Sequence, residues 1–224
     1  MSDPFHELVA RTALAAAYRY GFVLGGGLAL IEHGLVVRPT EDVDLFASGE
    51  GSVTAATTAV TEALVAAGLQ VETISHDSDL DDLIAGMAYQ MSELVVFRGP
   101  QDRDGLRVSL GFLDRSYPPV VLDIGPVMAV DDLIAWKVAA LVGRAEVRDF
   151  IDVAVFLADR DPAQLLAAAR RVDPALEDED VTAAGRRLDR TPDRAFLAYG
   201  IDAAGAAAIR ARFVGWPRPE PALD

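Results

Sequence analysis

The run Arg38-Pro39-Thr40-Glu41-Asp42-Val43-Asp44-Leu45-Phe46 places two carboxylates two residues apart among apolar neighbours. In an extended strand, residues i and i+2 project from one face. Asp42 and Asp44 then point together while Val43 and Leu45 face a core. Carboxylates so placed grip one or two magnesium ions, and metal ions at such a pair activate an attacking hydroxyl and stabilise leaving oxygens. Upstream, the apolar residues 22–24 run into Gly25-Gly26-Gly27, and residues 28–34 read as a short helix. Backbone N–H groups at a glycine turn that opens a helix can cradle phosphate oxygens. Either feature alone is more often bland, a solvated strand end or an ordinary turn. The order, glycine turn and then acidic strand, is what makes the pattern specific.

Three further places carry chemistry-bearing side chains. Asp123 is a lone acid in the apolar run 120–124, where an unpaired charge is costly. It reads either as a third metal ligand or as a strand-end residue reaching solvent beside Gly125. Lys137 sits mid-helix in an otherwise apolar stretch, and it is the one lysine beside 19 arginines. It reads either as a side chain that snorkels along a helix surface or as a compact ammonium kept to contact a triphosphate. In Arg148-Asp149-Phe150-Ile151-Asp152 the two acids are three apart and share a helix face. Asp152 either pairs with Arg148 at i, i+4 or orients Lys137 or a nucleotide.

The elements that must position these groups follow from periodicity and turn residues. Helices are expected over 4–20, 28–34 and 53–67, the last ended by Gly68, with strands over 22–24, 42–47, 70–75, 91–98, 106–113 and 120–124. Residues 76–82 read as an acidic loop. After Gly125-Pro126 the pattern turns helical, over 131–143, 147–157, 162–172, 180–188 and 203–213, with an irregular proline-bearing tail. The expected fold is α/β (α+β): a mixed sheet with flanking helices over 1–125, then a helical region over 126–224 that contributes Lys137 and Asp152 to the site.

Composition limits the functions. The chain has no cysteine, so thiol catalysis, disulfides and thiolate metal sites are excluded, in keeping with a cytoplasmic location. No apolar run approaches the ~20 residues of a membrane span, and no stretch reads as a signal peptide. The net charge is −15, with 7 arginines against 18 acids in residues 1–125 and 13 cations against 17 acids in residues 126–224. That field repels a polyanion at long range. A nucleic-acid substrate therefore requires local basic contacts, for which Arg170, Arg171, Arg186, Arg187, Arg190 and Arg194 are the candidates, or else solvated faces paired with nearby acids.

The first motif, Gly26-Gly27-Leu28-Ala29-Leu30 with His33-Gly34 and residues 38–46, resembles that of AbiEii-type nucleotidyltransferases, which include the MenT toxins. Lys137 and Arg148-Asp149-Phe150-Ile151-Asp152 resemble the later motifs, and the matches cover residues 22–46 and 133–153. The resemblance implies a DNA polymerase β-like nucleotidyltransferase fold. It implies magnesium-dependent transfer of a nucleoside monophosphate from ATP, CTP, GTP or UTP to the 3′ end of tRNA, which blocks translation. By position, Asp42, Asp44, Lys137 and Asp152 are the expected catalytic set. Gly26, Gly27, Arg38, Thr40 and Lys137 are expected at the nucleotide, and Asp42, Asp44 and Asp123 at the metal. A cognate antitoxin is implied as partner, in some members a kinase that phosphorylates a hydroxyl residue, here Thr40. The wider superfamily often has Gly-Ser where this chain has Gly26-Gly27, so one hydroxyl contact to phosphate is missing. The acidic charge favours a competing reading, a small-molecule nucleotidyltransferase of the aminoglycoside-modifying kind with a cationic acceptor. A third reading is a catalytically idle scaffold, against which the intact Asp42, Asp44, Lys137 and Asp152 argue.

Overall fold

The computed structural model describes residues 4–40, 42–48, 52–74 and 91–218. The acidic loop expected at 76–82 and the end of the tail lie outside the described residues. The chain divides into two compact units, Met1–Gly34 with Pro39–Ala129, and Leu35–Arg38 with Val130–Asp224.

The first unit is built on a sheet of seven strands among the described residues: β1 (Val23–Leu24), β2 (Asp42–Ala47), β3 (Gln70–Ile74), β4 (Met91–Phe97), β5 (Leu106–Phe112), β6 (Val120–Leu122) and β7 (Gly125–Val127). Their order is β3-β4-β5-β2-β1-β7-β6. The β2–β5 and β1–β7 pairs are parallel and the others antiparallel. Three helices complete the unit: α1 (Pro4–Ala17), α2 (Gly26–Glu32) and α3 (Val53–Ala66). The buried residues of α1 (His6, Val9, Ala10, Ala13, Leu14 and Ala17) follow the helical repeat. Those of α3 are Val53, Ala56, Ala59, Val60 and Leu64. The two helices pack on each other and on the sheet.

Strand alternation sets the sheet's faces. Along β2, Val43, Leu45 and Ala47 are buried and the residues between them half-buried. Val43 lies opposite Val108, and Leu45 opposite Leu110 and Leu24. Leu94 and Val96 extend this layer onto β4. Each such side chain contributes roughly 1.5–3 kcal/mol when fully buried. The opposite face carries the row Asp44, Ser109 and Glu93 across β2, β5 and β4.

The second unit consists, among the described residues, of short 3-10 turns and the helices α4 (Val130–Arg144), α5 (Val147–Phe156), α6 (Pro162–Val172), α7 (Asp178–Arg190) and α8 (Ala203–Arg212). Helix α4 packs against α5, α6 and α7, which is why it is apolar on most sides and buries nine residues, Lys137 among them. Helix α6 opens with a capping box in which the Asp161 carboxylate accepts from the Gln164 N–H at 2.8 Å. Phe213 meets Phe150 edge-on with ring centroids 5.7 Å apart, and Trp216 donates its indole N–H to the Val181 carbonyl at 3.0 Å.

Besides shifts of a few residues at element ends, two differences from the sequence reading bear on the site. The run 120–124 is not one strand: β6 stops at Leu122, Asp123 and Ile124 turn the chain, and β7 returns beside β6. Because Gly125–Val127 pairs with the sheet, the helical unit begins at Val130 rather than near residue 126.

Candidate active site

In the first unit, β2 places Asp42 and Asp44 on one face, both half-buried. The Gly25 N–H donates to the Asp44 carbonyl at 2.8 Å, which fastens the start of α2 to this strand. Gly26 has a φ of 62°, a region L side chains rarely adopt, and a Cβ there would collide with the Asp44 carboxylate. The glycine therefore serves a close approach between the turn backbone and a metal-binding candidate. Gly27 is buried within α2. At the other end of that helix, the His33 ring donates to the Met128 carbonyl at 2.9 Å, so the histidine of the first motif ties the helix end to the residue that follows β7. His6 donates to the Asp42 carbonyl at 3.4 Å. Thr40 lies half-buried in the irregular segment before β2, two residues ahead of Asp42.

Asp123 is not brought to this place. It is exposed in the β6–β7 turn. Leu24 is level with Val127 and with Leu45, so Gly25 and Asp44 lie beyond one end of β7 and Asp123 lies beyond the other. At ~3.3 Å per residue, roughly 13 Å along the strand direction separates Asp123 from Asp44. Carboxylates sharing one ion each lie within ~2.6 Å of it, so Asp123 cannot join that pair as placed. The strand positions beside Asp42 and Asp44 on β5 are Arg107 and Ser109. Among the described residues no group of three His, Cys, Asp or Glu side chains is arranged to hold a metal. Two carboxylates nonetheless fit magnesium, which is commonly held by one or two acids while substrate phosphates and water complete its shell.

In the second unit, cations and carboxylates alternate through a network in which Arg38, Lys137, Asp149 and Asp152 are buried and Arg144 is exposed. Arg38 donates to both oxygens of Asp152, at 2.7 and 2.6 Å. The Lys137 ammonium is 2.9 Å from Asp152 and 4.0 Å from Asp149. Arg144 donates to both oxygens of Asp149, at 2.9 and 3.0 Å. Asp149 also accepts from the Glu146 N–H within the capping box that starts α5. Both aspartates are fully buried. Burial alone would raise the pKa of Asp152; the Arg38 hydrogen bond and the charge of Lys137 outweigh it and hold the carboxyl below the usual range. Burial likewise acts to lower the pKa of Arg38, and its hydrogen bond and charge interaction with Asp152, with smaller contributions from Tyr199 and Asp149, raise it instead.

The geometry decides between readings that sequence left open. Asp152 pairs with Arg38 and Lys137, while Arg148 pairs with Glu146 at 2.8 Å. Lys137 is buried and its ammonium is held by carboxylates, so it does not snorkel along a surface. Arg38 reaches Asp152 across 114 positions, which groups Leu35–Arg38 with the helical unit. The roles of Arg38 and Arg144 in this network had no local signal in the sequence. A buried ion network adds little net stability compared with apolar residues of equal size, so folding alone does not account for it.

The family model for the nucleotidyl transferase AbiEii toxin of type IV toxin–antitoxin systems matches residues 7–222. No curated protein matches the chain in sequence. Among solved structures, MenT4, a nucleotidyltransferase toxin from Mycobacterium tuberculosis, is similar with a TM-score of 0.59 at 21% identity, over 94% of this chain and 82% of that one. JHP933 from Helicobacter pylori is similar with a TM-score of 0.58 at 15% identity, over 95% and 91%. At these identities the structural likeness concerns the fold. The family match spans nearly the whole chain and includes both the acidic strand and the buried lysine network: this protein belongs to the AbiEii family of nucleotidyltransferase toxins.

Proposed function

We propose that this protein transfers a nucleoside monophosphate from an NTP to the 3′ end of tRNA in the cytoplasm, with magnesium, and thereby blocks translation. The observation that carries the reading is the placement of Asp42 and Asp44 on one strand face, with the Gly26 backbone packed against Asp44. Asp42 and Asp44 would hold magnesium, which supplies neutralising charge to the phosphates when bound. In the reaction an acceptor hydroxyl forms a new P–O bond at the α-phosphorus, the bond to pyrophosphate breaks, and the hydroxyl proton leaves to a base or water. Lys137 serves the anionic phosphates as a point charge. Asp152, tied also to Arg38, holds that ammonium in place. Arg38 and Thr40 flank the entry to β2 and contribute to nucleotide binding, as do Gly26 and Gly27.

Family membership supports an antitoxin as partner. A kinase antitoxin acting on Thr40 would add close to two negative charges two residues from Asp42 and repel triphosphate. Thr40→Glu tests this: transfer falls further than in Thr40→Val, which removes the hydroxyl but adds no charge.

The second reading, a small cationic acceptor such as an aminoglycoside, is favoured by the net charge of −15. One experiment separates the two. The protein is incubated with magnesium and each labelled NTP in turn, with total tRNA or with an aminoglycoside panel. Label in tRNA supports the proposal, label in the small molecule supports the second reading, and label in neither refutes both.

A further inference from the structure

The sequence offered six arginines as a nucleic-acid surface, and the structure sorts them. Arg170 pairs with Asp178. Elsewhere in the helical unit Arg144, Arg148, Arg160, Arg210 and Arg218 are also matched to carboxylates. Arg171, Arg186, Arg187, Arg190, Arg194 and Arg212 are exposed and have no ion-pair partner among the described residues; of these, Arg186, Arg187 and Arg190 lie together on α7. All three line one open cleft of about 960 Å³ within the helical unit. The one carboxylate among the cleft's lining residues, Glu146, is engaged by Arg148 at 2.8 Å.

The spacing and the walls indicate what such a cleft takes. Arg186 and Arg190 are one turn apart, ~6 Å along the helix axis, with Arg187 offset around it. That spreads the charges as a track rather than focusing them on one point. Guanidinium groups pair with phosphate oxygens in a bidentate fork. The lining also includes Pro192 and the half-buried Tyr199, an aromatic on which a base can stack. Glu146 and Val147 of the lining stand at the start of α5, the helix that carries Asp149 and Asp152.

We propose that the cleft lined by Arg186, Arg187 and Arg190 binds the phosphodiester backbone of a single-stranded RNA segment. The proposal deepens the nucleic-acid acceptor reading, and rests on it for its purpose, but its binding test needs neither NTP nor magnesium. Because the overall field is repulsive, the contact is short-ranged and strongly salt-dependent.

The test measures fluorescence anisotropy of a labelled single-stranded oligoribonucleotide over a range of salt, with the full chain and no divalent ion. Three phosphate contacts at ~0.7 each predict a slope of log K against log salt of about −2. The triple variant R186Q/R187Q/R190Q loses about tenfold or more in affinity and most of the slope, while R186K/R187K/R190K keeps most of both. Arg171→Gln, on the exposed face of α6 and outside the cleft, binds as the parent does. Equal affinity and slope in the parent and the glutamine variant overturn the proposal, as does absence of binding. Displacement of the RNA by ATP or by polyglutamate at equal charge also overturns it, in favour of a free-nucleotide or an acidic-peptide site. If the cleft binds RNA as stated while labelled NTP is never transferred, the cleft stands and the catalytic reading falls.

Discussion

Asp152 carries two cations on one buried carboxylate, and that makes it the most sensitive residue of the helical unit. Replacing it with asparagine leaves Arg38 and Lys137 buried without their counter-charge, at an expected cost of about 3–5 kcal/mol; chemical denaturation measures it. The acid dependence follows from the direction of its pKa. The folded carboxyl sits below its unfolded value of about 3.9. Its ion pairs therefore add stability above that value and lose it as pH falls through the lower folded value. Stability of the parent should drop more steeply than that of Asp152→Asn as pH falls below about 4, and parallel curves would contradict the assignment. Gly26→Ala makes the matching prediction in the sheet unit. The positive φ and the collision with Asp44 cost about 1–3 kcal/mol, and transfer activity falls because the Asp44 carboxylate is displaced. At this scale much of the geometry of the candidate site was legible. Two-residue alternation sufficed for Asp42 and Asp44, and a solitary lysine in an apolar helix marked Lys137. The hydrogen bond from Arg38 to Asp152 spans 114 positions, and no local pattern announces such a contact.

At the scale of elements, β2 and α6 have the bounds their residues predict, because alternation and a Pro-containing capping box leave little freedom. The β6–β7 hairpin was not legible. Its turn is Asp123-Ile124, followed by Gly125 with a φ of 128°, and it lacks the Asn-Gly or Asp-Gly pair that signals a two-residue turn. Reading through it as one strand is what put Asp123 among the metal ligands. Helix α7 begins two residues early because Asp178, Glu179 and Asp180 fill its first turn, where acids favour the helix dipole. The last 3-10 turn of the described chain, holding Phe213, closes the helical unit against Phe150 and Trp216. Phe213→Ala removes a fully buried ring and should cost about 3–5 kcal/mol. Thermal unfolding measures this, and a loss under about 1 kcal/mol would show that the aromatic cluster is not part of the core.

For the whole molecule, the resemblance drawn from two short stretches extends to a family match over 7–222. The motifs at 22–46 and 133–153 were readable because their proposed chemistry calls for particular residue types, whereas packing, which many sequences satisfy, leaves no such local mark on the rest of the chain. Net charge alone does not describe what a ligand meets: three arginines without ion-pair partners among the described residues gather in one cleft of an acidic chain. Among the described residues no helix is long and apolar enough to cross a membrane. The central claim is nucleotide transfer that depends on Asp42 of the sheet unit and Lys137 of the helical unit. The direct measurement is transfer of label from α-labelled NTP in the presence of magnesium and total tRNA, by the parent, Asp42→Ala and Lys137→Ala, each first checked for folding by circular dichroism. The account predicts labelled tRNA with the parent and a loss of about 100-fold or more in each folded variant. Full transfer by either folded variant would contradict it.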